Sequence, residues 1–347
     1  MKSSDDKDKA EMIDGPYLIL TDTGMTSLRV EKINGEFKSE SKIYSSDEIS
    51  HSLHKVSLPS LNSDFTFKAF SSHSIVPHHY EEQNKIIAIS DIEGDFDYFR
   101  AMLIAQKIMN DNYEWIFGEG HLVILGDIFD RGDLVTEVLW LMYKLEQEAR
   151  SQGGFVHIIL GNHESMCLSG DLRYLNKKYL EVTQQLHFPY HKLYGPNTVL
   201  GDWLRSKNSI EVIGNTLFVH GGISPVLSAS GLSIQEINET VRNTLDKTET
   251  KIFNSTERLV MNSDGPLWCR DYLKEELDQD VIDSILNVFG AEQIVIGHTV
   301  VDKVSKYYDG KVIAIDIKRK NKEFYEALLI ENGLFYRATS EGNKISL

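Results

Sequence analysis

The sequence predicts an α/β fold, and three features predict it. Apolar runs of three to six residues recur at 86–89, 122–125, 155–160, 217–219 and 294–296. They are too short for helices and continuous enough for strands buried on both faces. Two of them lead into helical spacings, Tyr98, Met102, Ala105, Met109 and then Leu134, Val138, Leu141, Met142, Leu145. Each run also ends in glycine and polar residues, and open α/β sheets bind their ligands beyond the carboxyl ends of their strands.

The chain has 347 residues, enough for one large α/β domain with an appendage or for two modest domains. With 41% hydrophobic and 25% charged residues, the composition is that of an ordinary globular protein. No stretch approaches the roughly 20 apolar residues of a membrane helix, and the charged first residues lack the apolar segment of a signal peptide. No membrane association is therefore expected. Two cysteines, Cys167 and Cys269, cannot form a disulfide framework, which fits a cytoplasmic location. A net charge of −16 excludes non-specific nucleic-acid binding, which needs a basic footprint.

Residues 1–84 read as an accessory N-terminal region. The polar stretch 1–14 is expected to be disordered. Alternating apolar residues from Tyr17 to Lys42, split by Asp-Thr-Gly and Asn-Gly, predict hairpins. Residues 43–80 are serine- and histidine-rich and show no period.

From residue 85 each strand brings chemistry to its end. The first stops at Asp91-Ile92-Glu93-Gly94-Asp95. Asp91 and Glu93, two apart on extended chain, point to one side, where like charges repel unless a cation lies between them. An acidic helix start is the plainer alternative. The second strand stops at Gly126-Asp127-Ile128-Phe129-Asp130-Arg131-Gly132. A carboxylate there can hold a divalent cation and a guanidinium can clamp an oxyanion, although a surface salt bridge would use the same residues. The third stops at Gly161-Asn162-His163-Glu164, offering a neutral oxygen ligand and a residue able to be ligand, acid or base. The last two stop at His220-Gly221-Gly222 and Gly297-His298-Thr299. One histidine after a strand is usually structural; two in the same setting are harder to set aside.

An insertion at about 165–212, rich in Tyr, Leu and His, is expected to form a helical cap over the strand ends. Ile234, Ile237, Val241 and Leu245 predict a core-packing helix, and Gly265-Pro266-Leu267-Trp268-Cys269 predicts a turn presenting Arg270. Closing strands are expected at 312–316, 326–331 and 334–337. No linker divides 85–347, which reads as one catalytic domain.

Asp, Asn and His at five strand ends suit a pair of divalent first-row metals, with Asp127 able to hold both. Such a pair binds the attacking and leaving oxygens of a phosphoryl displacement. The order DxxG, GDxxDRG, GNHE, HGG and GHT resembles the PPP-type, calcineurin-like metallophosphoesterases, which include the serine/threonine phosphoprotein phosphatases. Gly170-Asp171-Leu172-Arg173-Tyr174, His220-Gly221-Gly222-Ile223-Ser224-Pro225 and Gly265-Pro266-Leu267-Trp268-Cys269-Arg270 are similar to the Shewanella-like protein phosphatase branch. The likeness covers about residues 85–335.

The resemblance implies a metallophosphoesterase-type β-sandwich of two mixed sheets flanked by helices. It implies Asp91, Glu93, Asp127, Asn162, His220 and His298 as metal ligands, with the division of His298 between the two ions left open. His163 becomes the general acid oriented by Asp130, and Arg131 and Arg270 clamp the phosphoryl group. Hydroxide generated at the metals attacks phosphorus directly. The implied substrate is a phosphoprotein or a small phosphoester; a dinucleoside-polyphosphate hydrolase and a phosphate-binding pseudoenzyme are the alternatives. Glu93 departs from the family's usual histidine. Its added negative charge favours Mn²⁺ or Mg²⁺, with Fe or Zn²⁺ as other candidates. Cys269 replaces the usual tyrosine.

Overall fold

The computed structural model describes residues 11–33, 35–248, 250–273, 277–318 and 325–347. Strands β1 (Glu11–Thr21), β2 (Gly24–Ile33) and β3 (Glu36–Ser45) form an antiparallel sheet in that order. A single-turn helix α1 (Ser46–Ile49) leads to the hairpin β4 (Leu53–Leu58) and β5 (Ser63–Lys68). Two expectations fail in this region. Composition groups residues 11–14 with a disordered tail, yet they begin β1, and Asp14 is fully buried against Tyr17 and Lys178. Strand pairing with β2 and the contact of Asp14 with Lys178 hold this segment, and composition shows neither. Residues 1–10 lie outside the described residues. The 43–80 stretch does alternate: His54, Val56 and Leu58 point inward against Phe65 and Phe67. Counting His54 as polar hides the period.

The N-terminal strands share one apolar core with the helices and strands of the rest of the chain. Phe67 stacks on Trp140 with ring centres 4.0 Å apart, and Trp140 Nε1 donates to Pro16 O at 2.9 Å.

Next come β6 (His79–Tyr80), β7 (Lys85–Ile89), α2 (Phe96–Ala105), β8 (His121–Ile124), α3 (Val135–Ser151) and β9 (Phe155–Ile158). Helices α4 (Asn162–Ser169), α5 (Lys177–Leu186), α6 (Tyr190–Leu193) and α7 (Val199–Arg205) precede β10 (Ile210–Ile213) and β11 (Thr216–Val219). After further helices, including Ile234–Thr244, come β12 (Gln293–Ile296), β13 (Ser305–Tyr307), β14 (Val312–Ala314), β15 (Glu326–Glu331), β16 (Leu334–Thr339) and β17 (Lys344–Ser346).

These strands build two mixed six-stranded sheets, ordered β17-β16-β15-β7-β8-β9 and β13-β14-β12-β11-β10-β6. Ile86, Ala88, Val123 and Leu125 from the first sheet meet Phe218, Val295 and Ile313 from the second in the layer between them. The alternate residues Ile87, Ile89, Leu122 and Ile124 join the outer core that holds Phe99, Met102, Val138 and Leu141. Burial on both faces is why these strands read as unbroken apolar runs.

Helix α2 ends at Ala105, short of the expected Met109. Lys107 turns left-handed (φ 55°), and Met109 instead bridges to Trp115. In the 165–212 insertion, α5 packs on β2 and β3 and α7 packs on β1, so these helices join the N-terminal sheet to the core.

Candidate active site

Strands β7, β8, β9, β11 and β12 end together, and the turns after them carry Asp91, Asp127, Asn162, His220 and His298. The chain must reverse abruptly at these ends. Asp91, Glu93 and Asp127 (each φ 52°), Asp130 (72°), Arg131 (58°) and His298 (60°) all adopt the left-handed region that side chains seldom occupy. Such strain persists only where the surroundings over-determine it, and it gathers at functional sites. Close approach is the second requirement. A Cβ at Gly297 would lie 2.0 Å from Ser90 Oγ and 2.8 Å from Asp91 Oδ2.

His220 shows what the cluster is built for. Its Nδ1 donates to Leu125 O at 2.7 Å, which leaves Nε2 as a lone pair. That atom lies 3.2 Å from Asp127 Oδ2, 3.0 Å from Asn162 Oδ1 and 3.1 Å from His298 Nδ1. Arg270 Nη2 approaches His298 Nδ1 at 3.4 Å, which makes that nitrogen an acceptor too. Four acceptors thus converge with no donor among them, an arrangement that a bound cation resolves. With Nδ1 accepting, His298 Nε2 carries the ring proton, and it is buried without a hydrogen-bond partner among the described residues. Asp127 also belongs to a second group, in which ligand atoms of Asp91, Glu93 and Asp127 lie within 4.8 Å of one another. Carboxylate, amide oxygen and imidazole together fit two neighbouring divalent ions that share Asp127.

The charges respond to this crowding. Burial pulls the His220 imidazole down, but the Asp127 carboxylate outweighs it and lifts the group to about 10, so without a cation a proton serves in its place. Burial raises the Asp127 carboxyl, and His220 and His163 more than reverse this, holding it well below the usual carboxylate range. Asp91 is raised to about 6 by burial, opposed by His220 and reinforced by Asp127. His298 is pushed down to about 2 by burial and by its cationic neighbours His220 and Arg270.

His163 stands beside this cluster, not in it. Its Nδ1 meets Asp130 Oδ2 at 2.6 Å, its backbone N–H donates to Asp127 Oδ1 at 3.0 Å, and its Nε2 lies 3.8 Å from Asp127 Oδ2. Burial lowers the imidazole, yet the hydrogen bond to Asp130 and the charge of Asp127 leave it raised, so it can hold a proton near neutrality. Cys167 Sγ approaches the other Asp130 oxygen at 3.3 Å. Arg131 pairs with Glu93 and remains half exposed, beside the ring of Tyr174. Arg270 is anchored through Nη1 to His298 O at 2.6 Å at the rim. All ten residues singled out from the sequence therefore lie in one place.

Glu164 belongs to one of the sequence motifs, but its spacing suggests no role. In the fold its buried carboxylate accepts from the backbone N–H groups of Gly161 (2.7 Å), Asp127 (2.9 Å), Ile128 (2.7 Å) and Phe129 (3.3 Å). It ties the β8 and β9 turns together. A carboxylate between a candidate active-site histidine and an apolar helix is the signal that points to it.

The family model for the calcineurin-like phosphoesterases matches residues 84–302. Shewanella-like protein phosphatase 1 of Plasmodium berghei is 31% identical over 223 residues, 62% of this chain and 61% of that protein, so the match spans about three fifths of that relative. Shewanella-like protein phosphatase 2 of Arabidopsis thaliana is 24% identical over 294 residues, 71% of this chain and 74% of that one. The crystal structure of a cold-active protein-tyrosine phosphatase from a psychrophilic Shewanella species superposes with a TM-score of 0.86 at 37% identity, covering 96% of this chain and 99% of that one. A Saccharomyces cerevisiae serine/threonine phosphatase shares the fold (TM-score 0.52, 16% identity). With strand-end acids and histidines in the family's order, this chain belongs to the calcineurin-like phosphoesterase family.

Proposed function

We propose that the protein is a dinuclear metal-dependent phosphatase that hydrolyses phosphomonoesters, with phosphoproteins as its substrates. The observation behind this reading is the convergence of acceptor atoms from Asp127, Asn162, His220 and His298 beside the His163–Asp130 pair. Asp91, Glu93 and Asp127 would hold one cation, and Asp127, Asn162, His220 and His298 its neighbour. When bound, the two ions supply Lewis acidity to the phosphoryl oxygens and acidify the attacking water. Arg131 and Arg270 bind the remaining phosphoryl oxygens and offset charge that grows in the transition state. His163 protonates the leaving oxygen from Nε2, and Asp130 fixes its tautomer and orientation through Nδ1.

Three carboxylates in the first group favour hard ions, so Mn²⁺ or Mg²⁺ is the proposed metal. The Shewanella relative is a protein-tyrosine phosphatase, which makes phosphotyrosine the first phospho-residue to try. We assign residues 85–347 the catalysis and residues 1–84 an accessory part, and we place the protein in the cytoplasm on its two buried, unpaired cysteines.

The test is metal analysis followed by one hydrolysis panel. The chain is stripped with chelator, reloaded with Mn²⁺, and given phosphotyrosine, phosphoserine and phosphothreonine peptides, an aryl phosphate and a diadenosine polyphosphate. Phosphomonoester turnover that returns with metal supports the proposal. Turnover of the diadenosine compound alone, or no turnover in the reloaded protein, overturns it.

A further inference from the structure

Arg131 stands on the turn between β8 and α3, in a left-handed conformation that needs restraint. Glu93 supplies part of that restraint, through its ion pair with Arg131 and its carbonyl, which accepts from Gly132 N–H at 2.8 Å; one further stretch of chain supplies the rest. Arg131 N–H donates to Tyr174 O at 3.1 Å, and Asn176 Nδ2 donates to Arg131 O at 2.8 Å, so the residue is held on both sides. Two positions on, Lys178 Nζ donates to Asp133 O at 2.6 Å, and Val135 N–H donates to Tyr179 Oη at 2.7 Å. The start of α5 therefore grips the whole turn.

Lys178 has a second set of partners. Its ammonium lies 3.3 Å from Glu137 Oε1 on α3 and 3.3 Å from Asp14 Oδ1 on β1, with little exposure to solvent. Burial alone would lower its affinity for the proton; Asp14 and Glu137 more than reverse that and raise it above the ordinary lysine value. Tyr17 Oη donates to the other Asp14 oxygen and lies 3.3 Å from Thr136 Oγ1, so β1 is locked onto the first turn of α3. An unbroken line of polar contacts thus runs from the N-terminal strand, through Lys178, to the turn that presents Arg131.

We infer that Lys178, held in place by Asp14, is a positioning residue for the Arg131 phosphate clamp, which makes β1 a working part of the phosphate site. The inference rests on the proposed role of Arg131. If the turn loosens, the guanidinium spends less time where a phosphoryl oxygen can meet it. Phosphate affinity should then fall while the metal ligands stay put: most stand on other turns, and Asp127, on the same turn, is held separately by its N–H bond to Glu164 at 2.9 Å.

The experiment uses the full-length, Mn²⁺-loaded protein and measures the Ki of inorganic phosphate, KM and kcat on an aryl phosphate, bound metal, and Tm. Lys178→Met should raise Ki and KM about tenfold, the scale of one charge-assisted hydrogen bond, with metal content unchanged. Lys178→Arg should recover most of the loss, and Asp14→Asn should raise Ki less, roughly threefold, because Glu137 still holds the ammonium. In an Arg131→Ala background, Lys178→Met should change Ki no further, because the two act through one contact. A lower Tm with unchanged Ki and KM would make the cluster a structural anchor and overturn the inference. If Lys178→Met does not fold, Asp14→Asn decides alone: an unchanged Ki overturns the inference. Should Arg131→Ala itself leave Ki unaltered, the clamp reading fails and this inference falls with it. A raised Ki for Arg131→Ala beside an unchanged Ki for Lys178→Met sinks only the positioning role.

Discussion

His220 at the strand ends and His157 between the sheets are both fully buried, and each touches a carboxylate, yet their nitrogens are used differently. His157 Nδ1 meets Glu211 Oε2 at 2.6 Å, its Nε2 meets His121 Nδ1 at 2.8 Å, and Asn208 Nδ2 donates to the other Glu211 oxygen at 3.0 Å. Burial pushes the His157 and His121 imidazoles down to about 3, so they are neutral, and each contact can pair a donor with an acceptor. That chain is closed. At His220 the donor is turned away onto Leu125 O, and the remaining lone pair joins three other acceptors. Counting donors against acceptors separates a structural histidine cluster from a ligand site where burial and residue type cannot.

The sharpest way to break this comparison is Asp127→Asn, which removes the charge shared by both candidate metal positions. Turnover should fall by at least about 10²–10³-fold, as for loss of a main charge-stabilising group, and bound metal measured by mass spectrometry should fall with it. Two metals per chain with near-normal turnover would move the bridge elsewhere. His163→Ala probes the neighbouring dyad. A general acid contributes roughly 10²–10⁴-fold, so alkyl phosphates should lose that much and aryl phosphates, which leave unprotonated, far less. Equal losses would return His163 to a structural role.

A smaller effect is expected at Glu93, which faces both the acidic group and Arg131. Glu93→His should release Arg131 and lower the Ki of inorganic phosphate roughly two- to fivefold, the scale of a partly exposed ion pair. It should also widen metal tolerance toward Zn²⁺. No change in either measurement would leave Glu93 as a helix-start carboxylate.

Glu211→Gln supplies the contrast, because turnover should not change. Burial raises the Glu211 carboxyl to about 8, above the ordinary 4.5, so the folded state holds a proton that the unfolded chain releases between those values. Its stabilising contribution is present below about 4.5 and is lost as pH rises through about 8. The wild-type Tm should therefore fall across that window, and the variant should fall less. Identical Tm profiles would show that Glu211 does not titrate in the folded protein.

The five strands of the site are legible because burial on both faces leaves apolar runs, interrupted at His157 in β9, and their ends are legible because the candidate ligands are polar. The gathering of Asp91, Asp127, Asn162, His220 and His298 can be anticipated from the order of those ends. What the sequence conceals depends on partners distant along the chain. Asp14 reads as part of a polar tail until Lys178 and Tyr17 are seen around it, and Glu164 reads as a helix residue until three consecutive N–H groups from the β8 turn arrive at its carboxylate. The β4–β5 hairpin is hidden because buried His54 occupies an apolar position, packed between Tyr44 and Phe67. The pairing of Glu93 with Arg131 is likewise a matter of geometry, and spacing alone suggests only that it lies beside Asp91.

The hydrogen bond from His298 N–H to Asp91 Oδ2, 3.1 Å long, spans 207 positions of the chain, and the one from His220 to Leu125 spans 95. Contacts between such remote segments form late, because the intervening chain must first surrender its freedom. A refolding molecule would regain its helices well before it could grip a cation, and regained turnover would mark the end of the journey. Metal added during refolding acts only on chains that have arrived, and by mass action it keeps them there.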